Sequence, residues 1–284
     1  MTIDFHTHTF PDAVAPKALR NLAYTSHTMP YTDGSAAGLS ASMKKAGISY
    51  SVNLPVMTAP EQTLKVNRRL ADSREALLEQ GILTFGGMHP FFGTREEKRK
   101  ELLFLKEHGI KGIKLHPAYQ GADLNALPNL EILDLCAEME LIVVTHAGID
   151  VGVPDRNYAS VSMILDVLKQ IGPFSFVLAH MGGWIGWEEV KRDLCGAPVW
   201  FDTAFSLGEI RKCPDDPAEM IYRENMKEEQ FTELVRAHGA DRILFGTDCP
   251  WSNQKTYLEH FLRLGIPDAQ KKLILYENAM KLLF

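Results

Sequence analysis

Six of the ten histidines lie at or just after the end of a short apolar run of the sequence. A single histidine on such a run is typical of a packed core residue, but six in equivalent places indicate a shared site. Neutral imidazole is a common metal ligand, and Asp248 at the end of the last run adds a carboxylate oxygen. The six histidines are His6, His8, His89, His116, His146 and His180.

His6 and His8 form an H-x-H pair at the end of the first run. Residues two apart on a strand point to the same side, so both imidazoles can reach one ion. His146 and Asp248 would complete a set of three imidazoles and one carboxylate. This set suits Zn²⁺, with Fe²⁺ or Mn²⁺ as alternatives, and leaves one position for water.

Eight apolar runs alternate with eight segments of helical pattern, which predicts a parallel sheet with helical crossovers. The runs are 2–6, 48–54, 82–88, 112–116, 141–146, 174–180, 198–205 and 242–248. The helical segments are 35–46, 61–80, 95–107, 127–139, 159–170, 187–193, 228–238 and 254–264. His108 and His238 each precede a glycine and a strand run, so we expect them to end helices.

Eight such units are the number that closes a (β/α)8 barrel, and a chain of 284 residues accommodates one barrel as a single domain, 1–284. A doubly wound open sheet is the alternative, but the glycine-rich phosphate fingerprint is missing after the first run. The carboxyl ends of barrel strands meet at one mouth, so we expect the histidines and Asp248 to converge there.

The composition excludes several classes of protein. With 45% hydrophobic and 23% charged residues the chain is typical of a soluble globular protein. A net charge of -6 gives no basic surface for nucleic acid, and no apolar run is long enough to span a membrane. The first residues show neither a basic nor an apolar leader segment, so we expect a cytoplasmic protein.

Seven short pieces of the sequence keep the order and spacing of one known family over nearly the full chain. They are DFHTHTF, GIKLHP, THAG, LAHMGG, VWFDTAF, LFGTDCP and ENAMKLL. In these pieces the sequence resembles the amidohydrolase superfamily, in its amidohydrolase-related branch. The resemblance implies a distorted (β/α)8 TIM barrel with one or two metals at its mouth. It also implies His180 beside the metal, as a ligand or a catalytic group, and it implies the ligands His6, His8, His146 and Asp248.

Lys114 decides how many metals the resemblance implies. Several relatives carry a carboxylated lysine here that bridges two metals, whereas GIKLHP resembles the mononuclear sites of this branch. We therefore expect one Zn²⁺ per chain, and two only if Lys114 is carboxylated. Without a metal role, Lys114 and His116 are placed to hold an anionic substrate.

Further substrate-binding candidates are His89, Arg156 and Trp184, which follow predicted strands. Arg156, in the polar segment GVPDRNY, could bind a substrate carboxylate or could simply be solvated. The segments 11–34 and 206–227 exceed the usual loop length and could cover the mouth or contact a second subunit. A homodimer would fit the family.

The resemblance implies a small-molecule substrate and hydrolysis of an amide, ester or lactone by a metal-activated water. Asp248 would take a proton from this water, and His180 would orient it or stabilise the oxyanion. The branch also includes hydratases and decarboxylases that resemble aminocarboxymuconate semialdehyde decarboxylase. Two or more cationic groups besides the ligands would favour decarboxylation of a carboxylated substrate. A metal-dependent nuclease and a non-catalytic binding protein rank below these enzymes.

Overall fold

Parallel strands form the centre of the protein, which a computed structural model describes over residues 1–208, 210–214 and 225–284. Each of the eight predicted runs contains a strand, and the third run, 82–88, contains two. The strands are β1 (Ile3–Thr7), β2 (Tyr50–Asn53), β3 (Ile82–Thr84), β4 (Gly86–Gly87), β5 (Gly112–Leu115), β6 (Ile142–Thr145), β7 (Phe176–Leu178), β8 (Trp200–Asp202) and β9 (Ile243–Leu244).

The strands follow one another in space in the order of the chain. β1, β2 and β3 form one parallel sheet, and β4 to β9 form a second one. The chain passes between the sheets at Phe85, whose N–H donates to the Asn53 carbonyl at 3.0 Å. At Gly86 a side chain would lie 2.5 Å from Leu105 Cδ1, so glycine lets Leu105 pack closely at this junction.

The last strand also adjoins the first one. The N–H of Phe5 donates to the Phe245 carbonyl at 2.7 Å, and that of Asp248 donates to the His6 carbonyl at 2.8 Å. The segment that ends in Asp248 therefore runs beside β1. This strand order is the one predicted for a TIM barrel.

Helices follow the strands as predicted, with four additions. The bounds are α1 (Ala15–Ser26), α2 (Ala36–Ala46), α3 (Gln62–Leu78), α4 (Arg95–Glu107), α5 (Pro117–Gln120), α6 (Leu127–Glu138), α7 (Val161–Ile171), α8 (Trp187–Glu189), α9 (Glu228–His238), α10 (Gln254–Arg263), α11 (Asp268–Lys272) and α12 (Asn278–Leu283). The additions are α1, α5, α11 and α12. His108 and His238 lie at the ends of α4 and α9, which confirms the predicted helix ends.

The segment 11–34, predicted as a long loop, contains α1. Pro16 lies in the first turn, where a proline is compatible with a helix. Ala15, Leu19 and Ala23 recur every four residues and bury one face of α1. The other long segment, 206–227, lies partly outside the described residues.

Two apolar clusters hold these elements together. The larger one packs helices such as α4 and α6 onto the strands, with Leu102, Leu105 and Leu133 fully buried. The smaller one joins residues of β1, β2, β6, β7 and β9 to Ala279 and Leu283 of α12. Among the described residues, no helix is both long and apolar enough to cross a membrane.

Candidate metal centre

A cavity of about 630 Å³ lies at the carboxyl ends of the strands. The predicted site residues converge there, as the barrel geometry requires. Those that line the cavity are His6, His8, Lys114, His116, His146, His180, Trp184 and Asp248.

Two predicted substrate-binding residues are not brought into this cavity. Arg156 is exposed, and its guanidinium forms an ion pair with Asp123 at 2.7 Å. His89 is buried, and its Nδ1 accepts a hydrogen bond from the Phe91 N–H at 3.2 Å. Neither is among the described residues that line the cavity.

His6, His8 and Asp248 form the tightest group of potential metal ligands. Nε2 of His8 lies 3.0 Å and Nε2 of His6 lies 3.4 Å from the same carboxylate oxygen, Oδ1 of Asp248. The two Nε2 atoms are 3.2 Å apart. This group can hold one divalent cation through two nitrogens and one oxygen.

The pairing of β1 with β2 shifts register between Asp4 and Thr7, on either side of His6. Asp4 accepts hydrogen bonds from the N–H groups of His6 (3.2 Å) and Thr247 (2.9 Å). The amide of Gln254 donates to the same carboxylate at 2.7 Å. Asp4 therefore fixes His6 relative to the segment that carries Asp248, and sequence reasoning missed it.

The imidazoles of His6 and His8 each donate outwards. Nδ1–H of His6 donates to Asp202 Oδ2 at 2.7 Å, and Nδ1–H of His8 donates to the Leu54 carbonyl at 2.6 Å. A neutral imidazole carries one ring proton, so each inward Nε2 has only a lone pair. Two lone pairs that face each other repel, and a cation shared between them relieves that repulsion. The donor set therefore fits a metal ion.

His146 and His180, which follow β6 and β7, also have one ring nitrogen at a backbone carbonyl and the other directed inwards. Nδ1–H of His180 donates to the Ala204 carbonyl at 2.8 Å, and Nε2 of His146 lies 3.3 Å from the Ile149 carbonyl. The remaining nitrogens, Nε2 of His180 and Nδ1 of His146, are 3.0 Å apart. Four imidazoles thus direct lone pairs into one cavity. In metal sites, a hydrogen bond from the ring nitrogen that does not bind the metal orients the histidine.

Burial sets the charge of this group. Burial, and after it the charge of Lys114, lowers the pKa of His6 well below its usual range. Burial likewise lowers the pKa of His146. Neutral imidazoles are the protonation state that metal binding needs.

Lys114 lies against this group, with its Nζ 3.2 Å from His6 Nε2. Burial lowers the pKa of Lys114 to about 8, although Asp202, Asp248 and Asp150 favour its charged form. Both forms are therefore accessible near neutral pH. The neutral amine is the form that can be carboxylated, and the ammonium is the form that binds an anion.

Asp150 is a further site residue that sequence reasoning missed. Its Oδ2 lies 3.5 Å from Nε2 of His116 and 3.8 Å from Nδ1 of His146. Nδ1 of His116 accepts from the Tyr119 N–H at 3.4 Å, so its Nε2 carries the proton and faces Asp150. His116 is therefore better placed to orient Asp150 than to bind a metal. The available signal was the position of Asp150 just after THAG.

Gly148 lets the Asp150 loop approach Trp184. Its φ is +87°, and a side chain there would lie 2.3 Å from the backbone nitrogen of Trp184. Only glycine fits both conditions. The loop that carries Asp150 is consequently held against Trp184, which lines the same cavity.

Two catalytic candidates have a strained backbone. His180 has φ +59° and Asp248 has φ +69°, a left-handed conformation that costs about 1–3 kcal/mol per residue. Asp202 Oδ1 stabilises the first turn by accepting from the N–H groups of His180 and Ala204, each at 3.0 Å. Asp202 thus positions His6 and His180 together.

Comparison with known proteins agrees with this architecture. The sequence matches the amidohydrolase family model over residues 3–284. No curated protein matches the chain in sequence. An uncharacterized TIM-barrel protein from Bordetella bronchiseptica is 19% identical, with a TM-score of 0.74 and coverage of 99% of this chain and 98% of that chain.

Two further structures carry assigned activities. A protein assigned as a 2-pyrone-4,6-dicarboxylic acid hydrolase, from Pseudomonas putida, is 19% identical, with a TM-score of 0.66 over 99% of this chain and 97% of that chain. A 2,6-dihydroxybenzoate decarboxylase from Rhizobium is 14% identical, with a TM-score of 0.70 over 99% and 98%. At these identities the likeness shows the fold, which confirms the predicted TIM-barrel class. Because the family match spans nearly every residue, the chain belongs to the amidohydrolase family of metal-dependent enzymes.

Proposed function

We propose that the chain is a metal-dependent hydrolase that cleaves an amide, ester or lactone bond in a small molecule. The observation that carries this proposal is the set of four imidazoles whose lone pairs face one cavity, with His6 and His8 beside Asp248. In the proposed site His6, His8, His146 and Asp248 would hold a single Zn²⁺, and His180 would serve as a catalytic group.

The chain's own groups would divide the reaction between them. A bound divalent cation supplies Lewis acidity, which polarises oxygen and makes water more acidic. Asp248, ionised and facing the cavity, accepts the proton of the attacking water at a carboxylate oxygen. His180 holds this water through its inward Nε2, because its Nδ1–H is fixed on the Ala204 carbonyl. The substrate contacts would come from Lys114, His116 and Trp184, which line the cavity.

Metal content tests the centre before a substrate is known. Protein purified without chelators should contain about one zinc per chain by plasma mass spectrometry. His8→Ala should lose most of it, whereas His108→Ala, at an exposed helix end, should keep it. About two metals per chain would instead indicate a carboxylated Lys114. No metal after reconstitution would contradict the proposal, and light scattering on the same sample tests the predicted homodimer.

His180 has a test of its own. His180→Asn should retain most of the metal but lose turnover if the imidazole acts on water or substrate. If metal content falls in step with activity, His180 is a ligand rather than a catalytic group. His146→Asn should lose metal, which makes it the matched comparison.

A decarboxylase is the second candidate, because the cavity contains cationic groups besides the proposed ligands. They are Lys17, Lys65, Arg69 and Lys114. Such groups favour a substrate that carries a carboxylate. A screen of lactones, esters, amides and aromatic acids separates the two reactions. Hydrolysis of a lactone or ester consumes base at constant pH without gas, whereas decarboxylation releases CO2 into the headspace.

A further inference from the structure

Two helices, rather than strand ends, line one side of the cavity. α3 contributes Gln62, Lys65, Val66 and Arg69, which are spaced by three and four residues and form one helical face. α1 and the residue before it contribute a second such face. Its members are Val14, Lys17, Ala18, Asn21 and Leu22.

This helical side of the cavity is positively charged. Lys17, Lys65 and Arg69 line it, and none of the three forms an ion pair with any described residue. The carboxylates among the described lining residues are Asp150 and Asp248, and both are buried among the histidines. The cavity therefore has a cationic helical side, although the chain has a net charge of -6.

A neighbouring cation on α3 does have a carboxylate partner. Arg68, on another face of the same helix, forms a double hydrogen bond with Glu101, with both distances 2.9 Å. Within the part of the chain that the structure describes, Lys65 and Arg69 have no such partner.

We infer that Lys17, Lys65 and Arg69 form a subsite for a carboxylate of the substrate, remote from the group that reacts. We call these three residues the helix cations. Arginine suits this role because its planar guanidinium can bind both oxygens of a carboxylate. Val66 and Leu22 lie on the same two faces and offer apolar contact to the substrate body. The inference rests on the proposed function, because the reacting end must reach the metal centre.

Binding of inert dicarboxylates tests the inference without turnover. The probes are straight-chain dicarboxylates of three to eight carbons, each compared with the monocarboxylate of equal carbon number. Calorimetry on the zinc-loaded enzyme should show one chain length at which the dicarboxylate binds about tenfold more tightly than its monocarboxylate. This factor corresponds to one charge-assisted hydrogen bond. Raising the salt concentration should reduce this preference.

The variants separate the subsite from the metal centre. Lys65→Gln combined with Arg69→Gln should reduce the dicarboxylate preference to within about twofold while monocarboxylate affinity and zinc content stay unchanged. Arg20→Gln and Arg74→Gln, on the same two helices but outside the cavity lining, are the matched controls and should keep the preference.

The outcomes distinguish the two proposals. If the wild-type enzyme shows no preference for any dicarboxylate, or the double variant keeps the preference, the subsite is wrong although the metal centre stands. If the protein takes up no metal, the proposed function itself fails. Once a substrate is known, the double variant should raise its KM about tenfold and leave kcat unchanged.

Discussion

The cavity has two sides that are built in different ways. On the strand side, His6 and His180 are buried and His8 is partly buried, and each donates an outward N–H to a fixed oxygen acceptor. On the helical side, Lys65 and Arg69 are exposed and unpaired among the described residues. The strand side is preorganised, as reaction chemistry requires, whereas the helical side is free to adapt to a ligand.

The two sides would therefore determine different properties of the enzyme: the strand side the reaction, and the helical side the choice of substrate. In the proposed function the strand side would hold the metal and the water. The helical side is where the chain can distinguish one acid from another. Substitutions on the strand side should therefore abolish turnover, and those on the helical side should change which molecule binds.

The largest effect is expected at Asp248. Asp248→Ala should reduce turnover by at least about 1,000-fold, because it removes a carboxylate that holds the cation and accepts a proton. Circular dichroism should show a retained fold. Asp248→Asn, which tolerates the left-handed backbone, checks that lost activity is not due to strain. Normal turnover by either variant would refute the assigned role.

His238 lies outside the cavity lining and serves as a comparison. Both of its ring nitrogens form hydrogen bonds within the protein. Its Nδ1 accepts from the Gly196 N–H at 3.3 Å, and its Nε2–H donates to the Val199 carbonyl at 3.1 Å. Burial lowers the pKa of His238 to about 4, so it stays neutral in the fold. Unlike His6, His8, His146 and His180, it has no lone pair directed into the cavity.

Protonation of His238 should favour the unfolded chain. The neutral form of His238 contributes fully to the free energy of unfolding above pH 6.5. This contribution, about 3 kcal/mol in total, is lost as the pH falls through about 4. Urea unfolding at several pH values measures this loss. His238→Gln should reduce the pH dependence of the free energy of unfolding without changing metal content. An unchanged pH dependence would show that His238 is not buried as a neutral group.

A smaller effect is expected at Asp202, which supports the strand side without facing the substrate. In Asp202→Asn the amide can place a donor against Nδ1–H of His6, which disturbs the ring's proton and orientation. We expect metal affinity to fall about 10–100-fold in a chelator competition. Asp123→Asn, at an ion pair outside the cavity, is the control and should leave affinity unchanged.

Arg156 should have the smallest effect. Its guanidinium pairs with Asp123 at the surface, and such exposed pairs contribute little. Arg156→Ala should therefore change kcat/KM by less than about twofold on any substrate that the screen identifies. A tenfold rise in KM would instead indicate that Arg156 contacts the substrate, which would weaken the contrast between the two cavity sides.

Much of the strand side could be predicted because it follows from periodicity. The ends of apolar runs identify His6, His116 and His180, and a parallel barrel brings such ends to one mouth. Their supporting partners could not be predicted in the same way. Asp202 contacts His6 although the two residues are 196 positions apart in the sequence, and no pattern in the sequence around either residue predicts the contact.

The helical side was largely hidden from sequence reasoning. The segment 11–34 resembled a loop, so the face of α1 that carries Lys17 had no predicted orientation. Lys65 and Arg69 lie in a helix that was predicted, but helical spacing does not tell which face meets a cavity. Only the packing of Leu19 and Leu70 in the core fixes those faces.

The hydrogen bonds between Asp4 and the segment near Thr247 have a consequence for how the chain is made. Residues 4 and 247 are neighbours in space but lie 243 positions apart in the chain. At about 5–20 residues per second, His6 and His8 would wait roughly 10–50 s during synthesis before Asp248 exists. Early metal capture by the H-x-H pair alone would be incomplete, so the full centre forms only when the nascent barrel brings its two ends together.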